Sequence, residues 1–213
     1  LGFTNKMTRE RLARFVARCA SDAKTLDIGC GGAPYAKYFP NRVGFDHAAG
    51  PDVDVVGDAH HLPFQDGEFE RILCTEVLEH LLDPAKAIAE MRRVLQPGGM
   101  LILTTRFVFP LHDAPHDYWR FTRYGLEHLF REWEIVELKP EAGSIETLAI
   151  LMQRLGLQGQ FLGGRLTKLW VLLEARFISW LPWLVKREYG DIKHTLEVQP
   201  VMSSGYYLVA RKS

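Results

Sequence analysis

The sequence has few cysteines, no net charge and no long uninterrupted apolar run, and each absence removes a class of protein. Its three cysteines (Cys19, Cys30, Cys74) are odd in number, widely spaced and never in a C-x-x-C pair. Neither a disulfide framework nor a zinc ribbon is therefore expected, and a reducing, cytoplasmic compartment is. Twenty-six basic residues balance twenty-six acidic ones. No global field draws the chain to nucleic acid or to anionic lipid, so a nucleic-acid partner is not expected. The most apolar stretch, Leu166 to Val185, contains Lys168, Glu174 and Arg176 and is broken by Pro182. It makes a poor spanning helix. Leu1 to Lys6 lacks the apolar run of a secretory signal, although a start without methionine leaves a trimmed leader open. Repeats and low-complexity tracts are also absent.

What is present is 213 residues, 47% of them hydrophobic and 24% charged. That suffices for one sizeable core and is short for two, so a single domain over residues 1–213 is expected. Leu12, Phe15, Val16 and Cys19 recur at helical spacing. A short apolar strand, Thr25 to Ile28, runs into Gly29-Cys30-Gly31-Gly32. Tyr35 to Phe39 reads as a helix, and Arg42 to Phe45 as a strand closing on Asp46. Val53 to Val56 and Glu70 to Cys74 read as the third and fourth strands. Asp83 caps a helix with Pro84 at its first position and Ala85, Ile88, Met91 and Val94-Leu95 as its apolar face. Gln96-Pro97-Gly98-Gly99 stops it, and Met100 to Thr105 is the fifth strand. A loop rich in proline, histidine and aromatics leads to a helix starting near Thr122. Trp133 to Leu138 and Tyr206 to Ala210 are the last strand candidates. Strands alternating with helices imply right-handed βαβ units. The fold expected is α/β: a Rossmann-like, doubly wound, mostly parallel seven-stranded sheet with a helical insertion before the last strand.

The glycine turn after the first strand carries the first chemical signal. Such a turn lets a ligand approach the backbone and offers it free N–H groups. Dinucleotides use it through a pyrophosphate, and S-adenosylmethionine through its methionine portion. The dinucleotide fingerprint ends on glycine or alanine, where this sequence has Pro34. Asp27, beside the turn, would repel a pyrophosphate and attract an ammonium. Asp46, at the end of the second strand, is placed to accept from ribose hydroxyls, as acidic residues at that position do. Asp58 can accept from an adenine amino group while Ala59 leaves room for the ring. Each carboxylate alone is more commonly a solvated turn residue; three at successive strand ends point to a nucleoside.

These segments resemble a known family. Leu26-Asp27-Ile28-Gly29-Cys30-Gly31 resembles the first motif of class I S-adenosylmethionine-dependent methyltransferases, of the type 11 kind. Asp58-Ala59-His60-His61-Leu62-Pro63-Phe64 with Asp66-Gly67-Glu68-Phe69-Glu70 resembles their adenine-contact stretch. Cys74-Thr75-Glu76-Val77-Leu78-Glu79-His80 and Arg92-Arg93-Val94-Leu95-Gln96-Pro97-Gly98-Gly99 are similar to their fourth motif and to the turn before strand five. The order and spacing hold over residues 24–105, the expected cofactor-binding core. The resemblance implies Gly29, Cys30 and Gly31 along the methionine portion, with Asp27 on its amino group. It further implies Asp46 on the ribose, Asp58 and Ala59 on the adenine, and Glu76 at the mouth of the fourth strand. S-adenosylhomocysteine would be the product. Ala33 stands where the family usually has a third glycine. Leu111 to Thr122 is similar to a loop found in a subgroup linked to glycan or glycolipid modification.

A sulfonium needs no acid to expel its leaving group, so the protein's tasks are in-line alignment, exclusion of water and removal of a proton from the acceptor. Histidine suits the last task at neutral pH. His116 is the favoured base, with Asp117 or Asp113 orienting it, and His112 and His80 are further candidates; His61 is more remote. Residues 106–131 would face the substrate. His112 and His116 lie four apart, the spacing of a helical metal pair, but Pro110 and Pro115 oppose a helix there, and no metal site is expected. Tyr118, Trp119, Arg120 and Phe121 read either as a lid over an acceptor or as a packed stem.

Residues 144–200 form an apolar helical insertion or cap. Leu162, Leu166, Leu169, Trp170, Leu173, Phe177, Trp180 and Leu181 recur at helical spacing. This stretch reads as a cap or a homodimer face, and alternatively as a peripheral membrane contact through 162–185. The acceptor expected is a small molecule or a glycan or lipid-linked compound. Two rival readings stand beside this one: a non-catalytic cofactor-binding scaffold, and an NAD-dependent oxidoreductase, which Pro34 and Asp27 disfavour.

Overall fold

The structure is a computed structural model that describes residues 6–213. The stretch 1–5, most of the segment in which the sequence shows no leader, lies outside the described residues. Two compact units are present. One comprises Ala13–Phe107, Leu111–Lys139 and Tyr206–Ser213, and the other, among the described residues, 6–12, Val108–Pro110 and Pro140–Gly205.

In chain order the elements are α1 (Met7–Arg18), β1 (Thr25–Ile28), β2 (Arg42–Asp46), β3 (Val55–Val56), β4 (Phe69–Thr75), α2 (Pro84–Val94) and β5 (Leu95–Arg106). They continue with α3 (Arg123–Leu129), β6 (Trp133–Pro140), α4 (Ser144–Gln158), α5 (Gly164–Ile178) and β7 (Gly205–Lys212). The seven strands form one sheet in the order β3-β2-β1-β4-β5-β7-β6, mostly parallel with an antiparallel end. β1 pairs in parallel with both β2 and β4, and β4 with β5. All four residues of β1 are buried, as a strand covered on both faces requires. The sheet core is built on Leu26, Phe45, Phe69, Ile72, Leu101 and Leu208.

This order has a functional consequence. The chain winds outward from β1 to β3, then returns to the other side of β1 for β4 and β5. The switch point therefore lies between β1 and β4, and parallel strands deliver their C-terminal ends to one edge there. Asp27–Gly31, Asp46, Asp58 and Glu76 all sit at or just beyond those ends.

Local expectations hold in kind and shift in detail. Asp83 caps α2 by accepting from the Lys86 N–H at 3.0 Å, and Pro84 opens the helix. Its buried face is Ala87, Ile88, Met91 and Val94; Ala85 points to solvent, a correction to the expected stripe. The helix expected over Tyr35 to Phe39 contracts to a 3-10 turn, Ala36–Tyr38, that buries nothing. β3 is only Val55–Val56, because the Asp54 carboxylate is spent accepting from the Gly44 N–H at 2.6 Å. The Gln96–Gly99 turn loops out inside β5: Leu95 pairs with Phe69 and Met100 with Arg71, so four residues leave the ladder between two neighbouring pairs.

The second unit contains α4 and α5, packed on one another. Gly156 permits the approach, since a Cβ there would meet Leu172 Cδ2 at 2.9 Å. α5 buries Val171, Leu172 and Ala175, while Leu166, Leu169, Trp170, Leu173 and Phe177 form an exposed stripe on its opposite side. Helix structure ends with a 3-10 turn at Pro182–Leu184, so the segment from 185 to 204 is loop, not the helix expected to 200. Among the described residues, no helix is long and apolar enough to cross a membrane.

Candidate functional site

The glycine turn is shaped by backbone conformations that only small residues adopt cheaply. Gly29 has φ +68°, and a Cβ there would lie 2.2 Å from Val77 Cγ2. The Gly29 and Cys30 N–H groups both donate to the Phe45 carbonyl, at 2.8 and 3.2 Å. The Gly31 N–H donates to Asp46 Oδ2 at 2.9 Å, which fastens the turn to the end of β2. Asp46 Oδ1 accepts from the Ala48 N–H at 3.3 Å and lies 2.8 Å from His47 Nδ1. A Cβ at Gly31 or Gly32 would meet nothing within 4 Å, so this side of the turn is open.

Asp27 is buried at the end of β1. Burial pushes its carboxyl up to about 6, against the pull of the Arg42 guanidinium 3.8 Å away and with a further push from Asp46. A buried carboxylate held this poorly by its own chain has unused capacity for a cation.

Asp58 and Ala59 follow β3. Asp58 is exposed; its Oδ1 accepts from the His60 N–H at 2.9 Å and lies 2.5 Å from the His60 ring. The His60 backbone bond holds this carboxyl below its ordinary value. His60 Nε2 in turn accepts from the Asp83 N–H at 3.1 Å, tying the loop to the start of α2. Ala59 is buried. Glu76, just beyond β4, has φ +58°, a strained conformation for a residue with a side chain. Its Oε1 accepts from the Thr104 hydroxyl at 2.8 Å, its N–H donates to the Thr104 carbonyl at 3.0 Å, and its Oε2 pairs with Arg106. Thr104 and Arg106 escape a sequence reading, because only the β4–β5 register brings them to Glu76.

The three histidines separate. His80 and His112 come together with ring centroids 4.7 Å apart, whereas the His116 ring is exposed, with Nδ1 3.0 Å from the Tyr118 hydroxyl. Asp117 lies on His112, 3.3 Å from Nδ1, and not on His116. It is also clamped by Arg120 at 2.6 and 2.7 Å, a pairing that holds its carboxyl down at about 2. The His116 carbonyl faces His80 Nδ1 at 2.5 Å. Beside the two paired rings sits Glu79, fully buried, with Oε2 accepting from the Thr105 hydroxyl at 2.8 Å. Glu79 stands inside a motif visible in the sequence, yet nothing local marks it as inward-facing. Tyr118 and Trp119 donate their backbone N–H groups to the Glu79 carbonyl at 3.0 and 3.1 Å, and the Trp119 indole donates to the Leu81 carbonyl at 2.9 Å. Those bonds make the aromatic run a fastened stem.

Residues 26–103 match the sequence model of a family described as a methyltransferase domain. Demethylmenaquinone methyltransferase of Renibacterium salmoninarum is 35% identical over 94 residues, which is 38% of this chain and 40% of that protein. The chain spans 40% or less of the length of the first curated relatives it matches. Among solved structures, the [4+2]-cyclase SpnF aligns with a TM-score of 0.59 at 20% identity, over 95% of this chain and 81% of that one. The 1,6-didemethyltoxoflavin-N1-methyltransferase of Burkholderia thailandensis, solved with S-adenosylhomocysteine, aligns with a TM-score of 0.57 at 15% identity over 99% and 80%. At those identities the structural likeness speaks for the fold alone. Residues 26–103 of this chain thus match a methyltransferase domain, and the sheet built on them has the fold of the methyltransferase aligned above.

Proposed function

We propose that this chain is a methyltransferase that moves the methyl group of S-adenosylmethionine to a small-molecule, glycan or lipid-linked acceptor and releases S-adenosylhomocysteine. One observation carries the reading: Asp27, the open Gly29–Gly31 turn, Asp46, Asp58 with Ala59, and Glu76 occupy successive strand ends on one sheet edge. The chain's own groups fit the cofactor. The buried Asp27 carboxylate offers itself to an ammonium, and the open face of Gly31 admits a ligand to the backbone. Asp46 would take the ribose, and Ala59 the adenine ring beside Asp58. The cofactor supplies an electrophilic methyl whose departing sulfur becomes a neutral thioether. The protein's work is to align the acceptor, exclude water and accept its proton.

On the acceptor side, the paired His80 and His112 with Glu79 are better supported than His116. The His116 ring is exposed, and what it contributes to the cluster is its main-chain carbonyl. Calorimetric titration with S-adenosylhomocysteine, with NAD as comparison, tests the reading. Saturable binding of the first alone, lost in Asp46→Ala, is the expected result. Binding of neither would favour a non-catalytic scaffold, and binding of NAD an oxidoreductase. His116→Ala is expected to leave turnover within a few-fold of the parent.

A second reading concerns the exposed stripe on α5. Trp170 on α5 and Trp180 and Trp183 just beyond it are 59%, 67% and 72% exposed, among Arg165, Lys168, Arg176, Lys186 and Arg187. Aromatic and basic residues in this mixture support peripheral contact with a membrane surface through 162–185. Flotation with anionic phospholipid vesicles, abolished by Trp170→Glu, is expected. No flotation together with a dimeric mass in solution would assign the stripe to a second copy of the chain.

A further inference from the structure

The cluster around Glu79 contains more organisation than a proton acceptor requires. Glu79 lies in the 3-10 turn Leu78–His80, and its side chain is fully buried. A carboxylate in such a place is costly unless its charge is met. Oε2 is met by the Thr105 hydroxyl. Oε1 faces two imidazole nitrogens, His112 Nε2 at 3.7 Å and His80 Nε2 at 4.0 Å.

The tautomers follow from what each ring touches on its other side. His80 Nδ1 is 2.5 Å from a main-chain carbonyl, and His112 Nδ1 is 3.3 Å from Asp117 Oδ2. Both are acceptors, so with an ion bound each Nδ1 would carry the proton and each Nε2 would turn its lone pair to the ion. One ligand atom from each of the three residues lies within 4.8 Å of the others. Without an ion a hydrogen bond from His112 meets the Glu79 carboxylate, and a divalent ion would replace that proton among the same atoms. The outer contacts have the form that orients metal-bound histidines: a carbonyl behind one ring, and behind the other a carboxylate itself held by Arg120.

We propose that Glu79, His80 and His112 form a binding site for a divalent first-row transition ion such as Zn2+, Co2+ or Mn2+. Two imidazoles and one carboxylate are a donor set these ions accept, whereas Mg2+ and Ca2+ favour oxygen alone. Ligand atoms ~2.1 Å from a tetrahedral ion lie ~3.4 Å apart. The Glu79 pairs, at 3.7 and 4.0 Å, need to close only slightly. Three protein ligands leave a position for water or for an acceptor oxygen. The His80 and His112 side chains are 18% and 15% exposed, which gives an ion a path from solvent. The site uses the residues placed on the acceptor side above, but ion binding is read without methyl transfer.

The test is titration of chelator-treated, tag-free protein with Co2+, followed by visible ligand-field absorption. One saturable equivalent is expected. His80→Gln and His112→Gln should each weaken it more than tenfold, and His128→Ala, on the surface of α3, should leave it unchanged. Asp117→Asn should weaken it roughly 10–100-fold, the range for a group that orients a ligand. The absence of saturable Co2+ binding would overturn the proposal. So would binding retained in the two glutamine variants, each checked by melting temperature to be folded. S-adenosylhomocysteine binding on the same samples separates the two readings: Co2+ bound without it supports the metal site while removing the cofactor assignment.

Discussion

Asp27 makes the cofactor assignment testable by pH alone. Its carboxyl, ordinarily near 3.8, is pushed up to about 6 by burial. The folded protein therefore binds a proton that the unfolded chain has released between those values. Stability from this group is fully present below pH ~4 and is lost as pH rises through ~6, a change of roughly 3 kcal/mol. Ligand binding runs the other way. If the ionised form alone receives an ammonium, only about a tenth of the protein is competent at pH 5 and nearly all at pH 7.5. Affinity for S-adenosylhomocysteine should then rise about tenfold across that window, with uptake of the ligand releasing up to one proton. Calorimetry in buffers of different ionisation enthalpy measures both quantities. Asp27→Asn should abolish the slope and weaken binding at pH 7.5 at least tenfold, since an ion pair at ~4 Å is worth up to ~4 kcal/mol at an effective dielectric near 20. A flat affinity between pH 5 and 7.5, or an asparagine variant that keeps the slope, would refute the assignment.

Two further expectations concern the same edge. Gly29→Ala places a methyl 2.2 Å from Val77 Cγ2 at φ +68° and should cost about 2–4 kcal/mol, whereas Gly32→Ala, with nothing within 4 Å, should stay within ~0.5 kcal/mol. Thermal denaturation distinguishes them, and equal losses would contradict the close approach of Val77. Glu76→Ala removes the carboxylate facing Arg106, whose side chain is 5% exposed, and should cost about 3–5 kcal/mol in urea unfolding; a loss below 1 would show that the pair contributes little.

The strand ends, the glycine turn and the cap on α2 were legible in the sequence because each is a local matter. An apolar run, a left-handed backbone position and an Asp-Pro helix start leave their mark within a few residues. Asp27, Gly29, Asp46 and Asp58 could therefore be named from neighbouring residues, Glu76 only through the family resemblance, and the alternation of strands with helices indicated the edge they share. Ala85 was named in place of Ala87 because it lies three residues before Ile88 on the helix, while the buried side of α2 is centred on Pro84, Ala87, Ile88, Met91 and Val94. The histidines were beyond reach for a different reason. His80 follows β4 and His112 follows β5, and they meet because those strands are hydrogen-bonded neighbours. Sequence proximity instead favoured His116 with Asp117, four and five residues from His112. Arg120 clamps the Asp117 carboxylate that lies on His112, and the stem at Tyr118 and Trp119 bonds to the Glu79 carbonyl beside the two rings. Backbone conformation and helix caps are decided by nearest neighbours, so the sequence by itself determined the glycine turn, the strand ends beside it and the cap on α2. Which side chains gather around Glu79 depended on pairing between segments more than thirty residues apart, and the tertiary structure alone decided it.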